Sequence, residues 1–124
     1  MATPIVNLSN LDGSNGFRLN VKTADNFFSD ISVSNAGDVN GDGYDDVIVG
    51  ASDDELNGRY SGSSYVVFGK ASGFSAAMDL SSLDSNSGFR LDGGAYDHTG
   101  YSVSNAGDMN GDGYNDVIVG TDSV

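Results

Sequence analysis

Apolar residues in this chain come in short bursts of two contrasting patterns, set apart by glycine, serine, asparagine and aspartate. Asp30-Ile-Ser-Val-Ser-Asn35 alternates apolar and polar residues with a period of two, which predicts a strand with one buried face. Asp46-Val-Ile-Val-Gly-Ala51 is a continuous β-branched run too short for a stable helix, and it predicts a strand buried on both faces. Gly16-Phe-Arg-Leu-Asn20, Gly62-Ser-Ser-Tyr-Val-Val-Phe-Gly69 and Gly88-Phe-Arg-Leu-Asp92 predict further strands, with a polar, glycine-rich turn at 70 to 75. Gly100-Tyr-Ser-Val-Ser-Asn105 and Asp116-Val-Ile-Val-Gly120 then repeat the alternating and continuous patterns. Seven candidate strands, 18 glycines and a single proline describe an all-β chain of tight turns. Strand aromatics such as Phe17, Tyr65, Phe68 and Phe89 read as core.

The patterns recur because the sequence does. Residues 7–20 match 79–92 at an offset of 72, and Ser32-Val-Ser-Asn-Ala-Gly-Asp38 matches Ser102-Val-Ser-Asn-Ala-Gly-Asp108 at an offset of 70. The two-residue indel falls between 21 and 31 in the first copy and between 93 and 101 in the second, which marks a surface loop. The chain divides into a repeat at about 7–78 and a second, truncated one at about 79–124. A period of roughly 70 residues signals an array whose units need neighbours, and four short antiparallel strands per period is the anatomy of a propeller blade.

Each repeat carries the same acidic loop. Asp38-Val-Asn-Gly-Asp-Gly-Tyr-Asp-Asp46 and Asp108-Met-Asn-Gly-Asp-Gly-Tyr-Asn-Asp116 both run straight into Val-Ile-Val-Gly. Oxygen side chains at loop positions 1, 3, 5 and 9, with a backbone carbonyl at position 7, suit a hard divalent cation that takes six or more oxygens. The expected ligands to two calcium ions are Asp38, Asn40, Asp42, Tyr44 through its carbonyl, and Asp46 in one loop. In the other they are Asp108, Asn110, Asp112, the Tyr114 carbonyl and Asp116. Gly43 and Gly113 occupy position 6, where a sharp turn leaves no room for a β-carbon. An ordinary solvated turn is the plainer alternative, and the identical spacing in two copies weighs against it. A helical calcium motif needs an acid at position 12, where Val49 and Val119 stand within β-branched runs.

Composition adds bounds. The 124 residues make one small domain, and 38% hydrophobic residues provide a modest core. A formal charge of -13 argues against nucleic acid or an anionic membrane as partner, and divalent cations are its natural counter-charge. Without cysteine there is no disulfide framework, thiolate nucleophile or zinc-thiolate cluster. No leader peptide is visible, and no stretch reaches the roughly 20 apolar residues of a membrane span. Catalysis has little to stand on. His98 is the only histidine, it sits in the indel region, and it reads as a solvated turn residue. Asp45-Asp46 and Asp53-Asp54-Glu55 are the carboxylate clusters available for acid/base work, but Asp45 becomes Asn115 in the other repeat and Asp46 is an expected calcium ligand. No catalytic residue is assigned.

The strand, loop and strand formed by Ser-Val-Ser-Asn-Ala-Gly-Asp and Asn-Gly-Asp-Gly-Tyr-x-Asp-Val-Ile-Val-Gly resemble the FG-GAP repeat family, the blades of the integrin α-subunit head propeller and of many bacterial surface proteins. The likeness covers about one and three-quarter periods. The eponymous dipeptides depart from the pattern, with Ser29-Asp30 and Thr99-Gly100 in place of Phe-Gly, and Gly50-Ala51-Ser52 and Gly120-Thr121-Asp122 in place of Gly-Ala-Pro. The resemblance implies an antiparallel β-propeller with calcium loops between strands. It also implies a non-catalytic adhesion or recognition scaffold at the cell surface or outside the cell. Turn-built sites of this kind bind calcium in the range of extracellular modules, about 10⁻⁴ to 10⁻³ M, which fits that location. An alternative reading is an accessory domain of a secreted hydrolase.

In the family's strand order, 16–20 is the outer strand of a preceding blade, 30–36, 46–51, 62–69 and 88–92 form one blade, and two strands of another follow. Fewer than two blades leave faces uncovered. The implied partners are therefore further blades, in the same parent chain or in other copies, with a protein or glycan as ligand and neither nucleic acid nor membrane insertion.

Overall fold

The computed structural model describes residues 4–21 and 30–122. Most of the first repeat's indel region, with Ser29 of the first degenerate dipeptide, lies outside the described residues. The described residues form eight strands: β1 (Arg18–Asn20), β2 (Ile31–Gly37), β3 (Asp46–Ala51), β4 (Ser63–Val67), β5 (Ala77–Asp79), β6 (Gly88–Asp92), β7 (Ser102–Gly107) and β8 (Asp116–Gly120). Strands β2, β3, β4 and β6 form one antiparallel sheet in that order, and β7 and β8 pair antiparallel as a second. The four-strand grouping expected from the period is what forms. Its last strand, β6, belongs by sequence to the second repeat.

The first predicted strand behaves differently. Residues 18–20 pair in parallel with β5, a three-residue strand that sequence patterning did not reveal. The sequence order had made this segment the outer strand of a preceding blade. With no such sheet among the described residues, its backbone groups find partners on 77–79 instead. The repeated Leu-Ser motifs on either side form matching 3₁₀ turns at Leu8–Asn10 and Leu80–Ser82.

The motif Asn-Ala-Gly has a definite local job. In both copies the strand register slips at this point, and the asparagine side chain accepts from the glycine amide two residues on, at 2.6 Å for Asn35 to Gly37 and 2.7 Å for Asn105 to Gly107. Gly37 and Gly107 have φ of +69° and +73°, conformations that side chains rarely adopt. The resulting β-bulge ends the alternating strand and turns the chain into the acidic loop.

The two faces of the four-stranded sheet hold two cores. One contains Val49, Ala51, Tyr65 and Val67, covered by Leu80 with Leu19, Val21, Met78 and Leu83. The other contains Ala36, Ile48 and Val66, covered by Val103, Val117 and Val119 of the second sheet together with Val39, Phe68 and Phe89. β3 is buried on both sides as its composition predicted, apart from Val47. β4 is buried along its whole length, serines included. No helix among the described residues is long and apolar enough to cross a membrane.

Candidate metal centre

The two acidic loops fold alike, bond for bond through most of their length. Asp38 turns its carboxylate inward, where Oδ1 accepts from the amides of Gly41 (2.8 Å) and Asp42 (3.1 Å) and Oδ2 from that of Gly43 (2.9 Å). Asp108 does the same with Gly111 (2.9 Å), Asp112 (3.1 Å) and Gly113 (3.0 Å). At position 5, Asp42 and Asp112 accept from the amides of Tyr44 and Tyr114 at 2.9 and 3.0 Å. At position 9, Oδ2 of Asp46 accepts from the Val39 amide at 2.8 Å, and Oδ2 of Asp116 from the Met109 amide at 2.7 Å. Such a ring of inward amides needs left-handed backbone. Gly41 and Gly43 supply it at φ +76° and +88°, and Gly111 and Gly113 at +72° and +91°. Position 4 thus needs glycine as much as position 6 does, a requirement that the ligand spacing alone does not reveal.

The asparagines break the symmetry. Asn40 donates its side-chain amide to Asp42 at 3.3 Å, whereas Asn110 accepts from the Asp112 backbone amide at 3.3 Å. Asp46 differs from Asp116 too, because its buried Oδ1 also accepts from the Gly69 amide at 2.8 Å. Burial pushes the Asp46 carboxyl above its ordinary value, the Gly69 and Val39 amides oppose this, and the charges of Asp42 and Asp38 add to the rise. The Asp112 carboxyl is held below its ordinary value, chiefly by the Tyr114 amide. Neither loop contains a lysine or arginine to offset its acids.

The donor set is all oxygen, which is the chemistry of a hard divalent ion. A carboxylate offers about four lone-pair sites, so the amide bonds leave acceptor capacity on Asp38, Asp42 and Asp46 and on Asp108, Asp112 and Asp116. Among the described residues no three Asp, Glu, His or Cys side chains gather into one cluster, and the loop carboxylates are drawn mainly toward backbone amides.

The loops also touch each other. The Asn115 amide donates to the Asp38 carbonyl at 3.0 Å, and the Tyr114 ring lies over Gly41, against the point where a β-carbon would project.

Residues 31–67 and 99–124 match the family model of the FG-GAP repeat, one match for each loop with its flanking strands. The chain belongs to the FG-GAP repeat family. In FG-GAP terms, the first match spans β2 to β4 and the second β7 and β8. FG-GAP repeats occur in adhesion and recognition proteins and are a non-catalytic repeat family. Where the FG dipeptide has drifted to Thr99-Gly100, both residues are buried, and Gly100 at φ +95° packs against Gly50 and Ser64.

Away from the loops, two acids that the sequence had grouped together part company. Asp54 is fully buried, where it accepts from the Tyr65 hydroxyl at 3.0 Å and from the Leu56 amide at 3.1 Å. Asp53 meets Nδ1 of His98 at 3.2 Å. His98 is half-buried and stacked on Tyr60, with ring centroids 5.4 Å apart, and so is not the solvated turn residue its sequence context suggested. Tyr60, Tyr96 and His98 all have positive φ, held by backbone bonds from Tyr96 to Arg59 and from His98 to Tyr60. Position in a glycine-rich loop gave no signal for this packing. On β6, Arg90 pairs with an acid of its own strand, reaching Asp92 at 2.7 Å.

Proposed function

We propose that this FG-GAP chain binds two calcium ions and serves as a non-catalytic scaffold for adhesion or recognition in an extracellular or cell-surface protein. One ion would be held by Asp38, Asn40, Asp42, the Tyr44 carbonyl and Asp46, the other by Asp108, Asn110, Asp112, the Tyr114 carbonyl and Asp116. The observation that supports the reading is the duplicate fold of the two loops, in which the same amide bonds orient the carboxylates at positions 1, 5 and 9 of each turn and no basic residue stands among them. An all-oxygen donor set without a basic neighbour suits a divalent cation as counter-charge.

A bound ion would neutralise the acids and pin the turns that join β2 to β3 and β7 to β8. The chain's own residues do the rest: the bulge glycines aim each loop, the amides orient its carboxylates, and Asn115 and Tyr114 join one loop to the other. The role is structural, with recognition left to surfaces that the stiffened sheets hold in place. Closure into a propeller by further blades belongs to the same proposal.

Thermal unfolding with and without chelator tests it. An ion present at about 100 times its dissociation constant stabilises by roughly 2.7 kcal/mol for each independent site that the unfolded chain cannot form. A melting temperature that chelator leaves unchanged would make the loops ordinary turns.

A further inference from the structure

Asparagine followed by glycine is the dipeptide in which the main chain most readily attacks its own side chain, because no β-carbon keeps the glycine nitrogen from the neighbouring carboxamide. The chain has four such pairs: Asn15-Gly16, Asn40-Gly41, Asn57-Gly58 and Asn110-Gly111. In the reaction the glycine nitrogen gives its proton to solvent and bonds to the asparagine Cγ. The Cγ–Nδ2 bond breaks, and ammonia leaves with a proton taken back from solvent. Water then opens the five-membered succinimide on one side or the other, giving aspartate or isoaspartate.

The fold holds the four pairs differently. In the acidic loops the nucleophile is engaged, since the Gly41 amide donates to Asp38 Oδ1 at 2.8 Å and the Gly111 amide to Asp108 Oδ1 at 2.9 Å. A carboxylate that accepts an N–H opposes loss of its proton, and the bond must break before the nitrogen can turn to the carboxamide. In Asn57-Gly58 the leaving nitrogen is engaged instead: Asn57 Nδ2 donates to the Gly93 carbonyl at 2.9 Å, and Gly58 packs against Ala95. Asn15-Gly16 lacks both restraints. Among the described residues the Gly16 amide has no acceptor, and Asn15 Nδ2 meets the Asn10 carbonyl only at 3.3 Å. The Asn15 side chain is exposed, and its Oδ1 accepts from the Asp12 amide at 2.9 Å, which draws electron density away from Cγ.

We infer that Asn15 is a site of spontaneous deamidation in the folded chain, and that aspartates hold back the same dipeptide in the two acidic loops. The Asn15 turn is closed by the Gly13 amide, which donates to the Gly16 carbonyl at 2.8 Å. Gly13 passes so close to the Phe74 carbonyl that no β-carbon would fit, and Phe17 stacks on Phe74 with ring centroids 4.3 Å apart. Isoaspartate adds a main-chain carbon between residues 15 and 16, so it breaks the closure and loosens this turn from Phe74. The change is slow and one-way. It is independent of the calcium reading, since residues 12–17 supply none of the expected ligands.

Peptide mapping by mass spectrometry of the 124-residue chain, aged in mildly alkaline, calcium-containing buffer, reads each asparagine separately. Asn15 is expected to convert on the order of tenfold faster than Asn40 or Asn110, the factor set by breaking an amide-to-carboxylate bond before attack. In urea those bonds are gone, and the four sites should convert at comparable rates because glycine follows each. Ion exchange of the aged, folded chain should show a main new species one charge more negative than -13, and Asn15→Ser should abolish it. Three results would each overturn the inference: Asn40 or Asn110 converting as fast as Asn15 in the folded chain, folding that slows Asn15 as much as the loop asparagines, or a main acidic species that persists in Asn15→Ser.

Discussion

The backbone amide of Asn115 donates to the carbonyl of Asp38 at 3.0 Å, which binds the loop of one repeat to the loop of the other. One residue before it, the Tyr114 ring rests on Gly41. Gly41 and Gly111 share a left-handed backbone, at φ +76° and +72°, yet only Gly41 is covered. Replacing either by alanine costs about 1–2 kcal/mol for the conformation alone. Gly41→Ala also displaces the tyrosine ring, so it should be the more destabilising by roughly 1 kcal/mol in urea unfolding. Equal losses would mean that the ring contact contributes nothing.

Asp42→Ala and Asp112→Ala should each abolish one calcium site and spare the other, because each carboxylate orients only its own loop. Equilibrium dialysis of the two variants, and of the double variant, measures this directly. Binding of two ions by either single variant would remove the aspartate from the ligand set.

Tyr65→Phe leaves the buried Asp54 carboxylate without its hydroxyl donor and should cost about 1.5–3 kcal/mol, read from chemical denaturation. Burial raises the Tyr65 phenol well above its ordinary 10.0, and the Asp54 charge and hydrogen bond add to the rise. The native state then keeps a proton that the unfolded chain gives up, so wild-type stability should fall as pH climbs past 10.0. The phenylalanine variant should lack that part of the alkaline loss.

At the acid end the sign is reversed. Asp84 caps a surface turn by accepting from the Asn86 amide at 2.9 Å and the Ser87 amide at 3.0 Å, and these bonds hold its carboxyl below 3.8. Asp12 makes the equivalent turn in the first repeat and is lowered in the same way, first by the Ser14 hydroxyl. A depressed carboxyl stabilises the fold above its unfolded value, and the contribution is lost as pH falls through the folded one. Carboxyl titration by NMR should find both midpoints below 3.8, and Asp84→Asn should flatten the acid loss of stability.

Sequence made the recurring parts of this structure legible. The alternating and continuous patterns located β2, β3, β7 and β8 within two residues, because period and β-branching report burial directly. Repetition identified the acidic loops, and their shared turn chemistry followed. Other features were illegible for physical reasons. β5 is three residues long, too short to carry a period, and exists through pairing with β1. Ser63 and Ser64 look like surface residues but are buried by their central strand, and Asp54 is buried by a partner 11 residues away. The left-handed Tyr60, Tyr96 and His98 owe their backbone to contacts between two distant loops.

Isothermal titration of chelator-treated protein with calcium tests the central claim most directly. Two ions per chain, with magnesium binding much more weakly because it demands a stricter octahedron, is the expected result. A stoichiometry of zero, or magnesium bound as tightly as calcium, would contradict it.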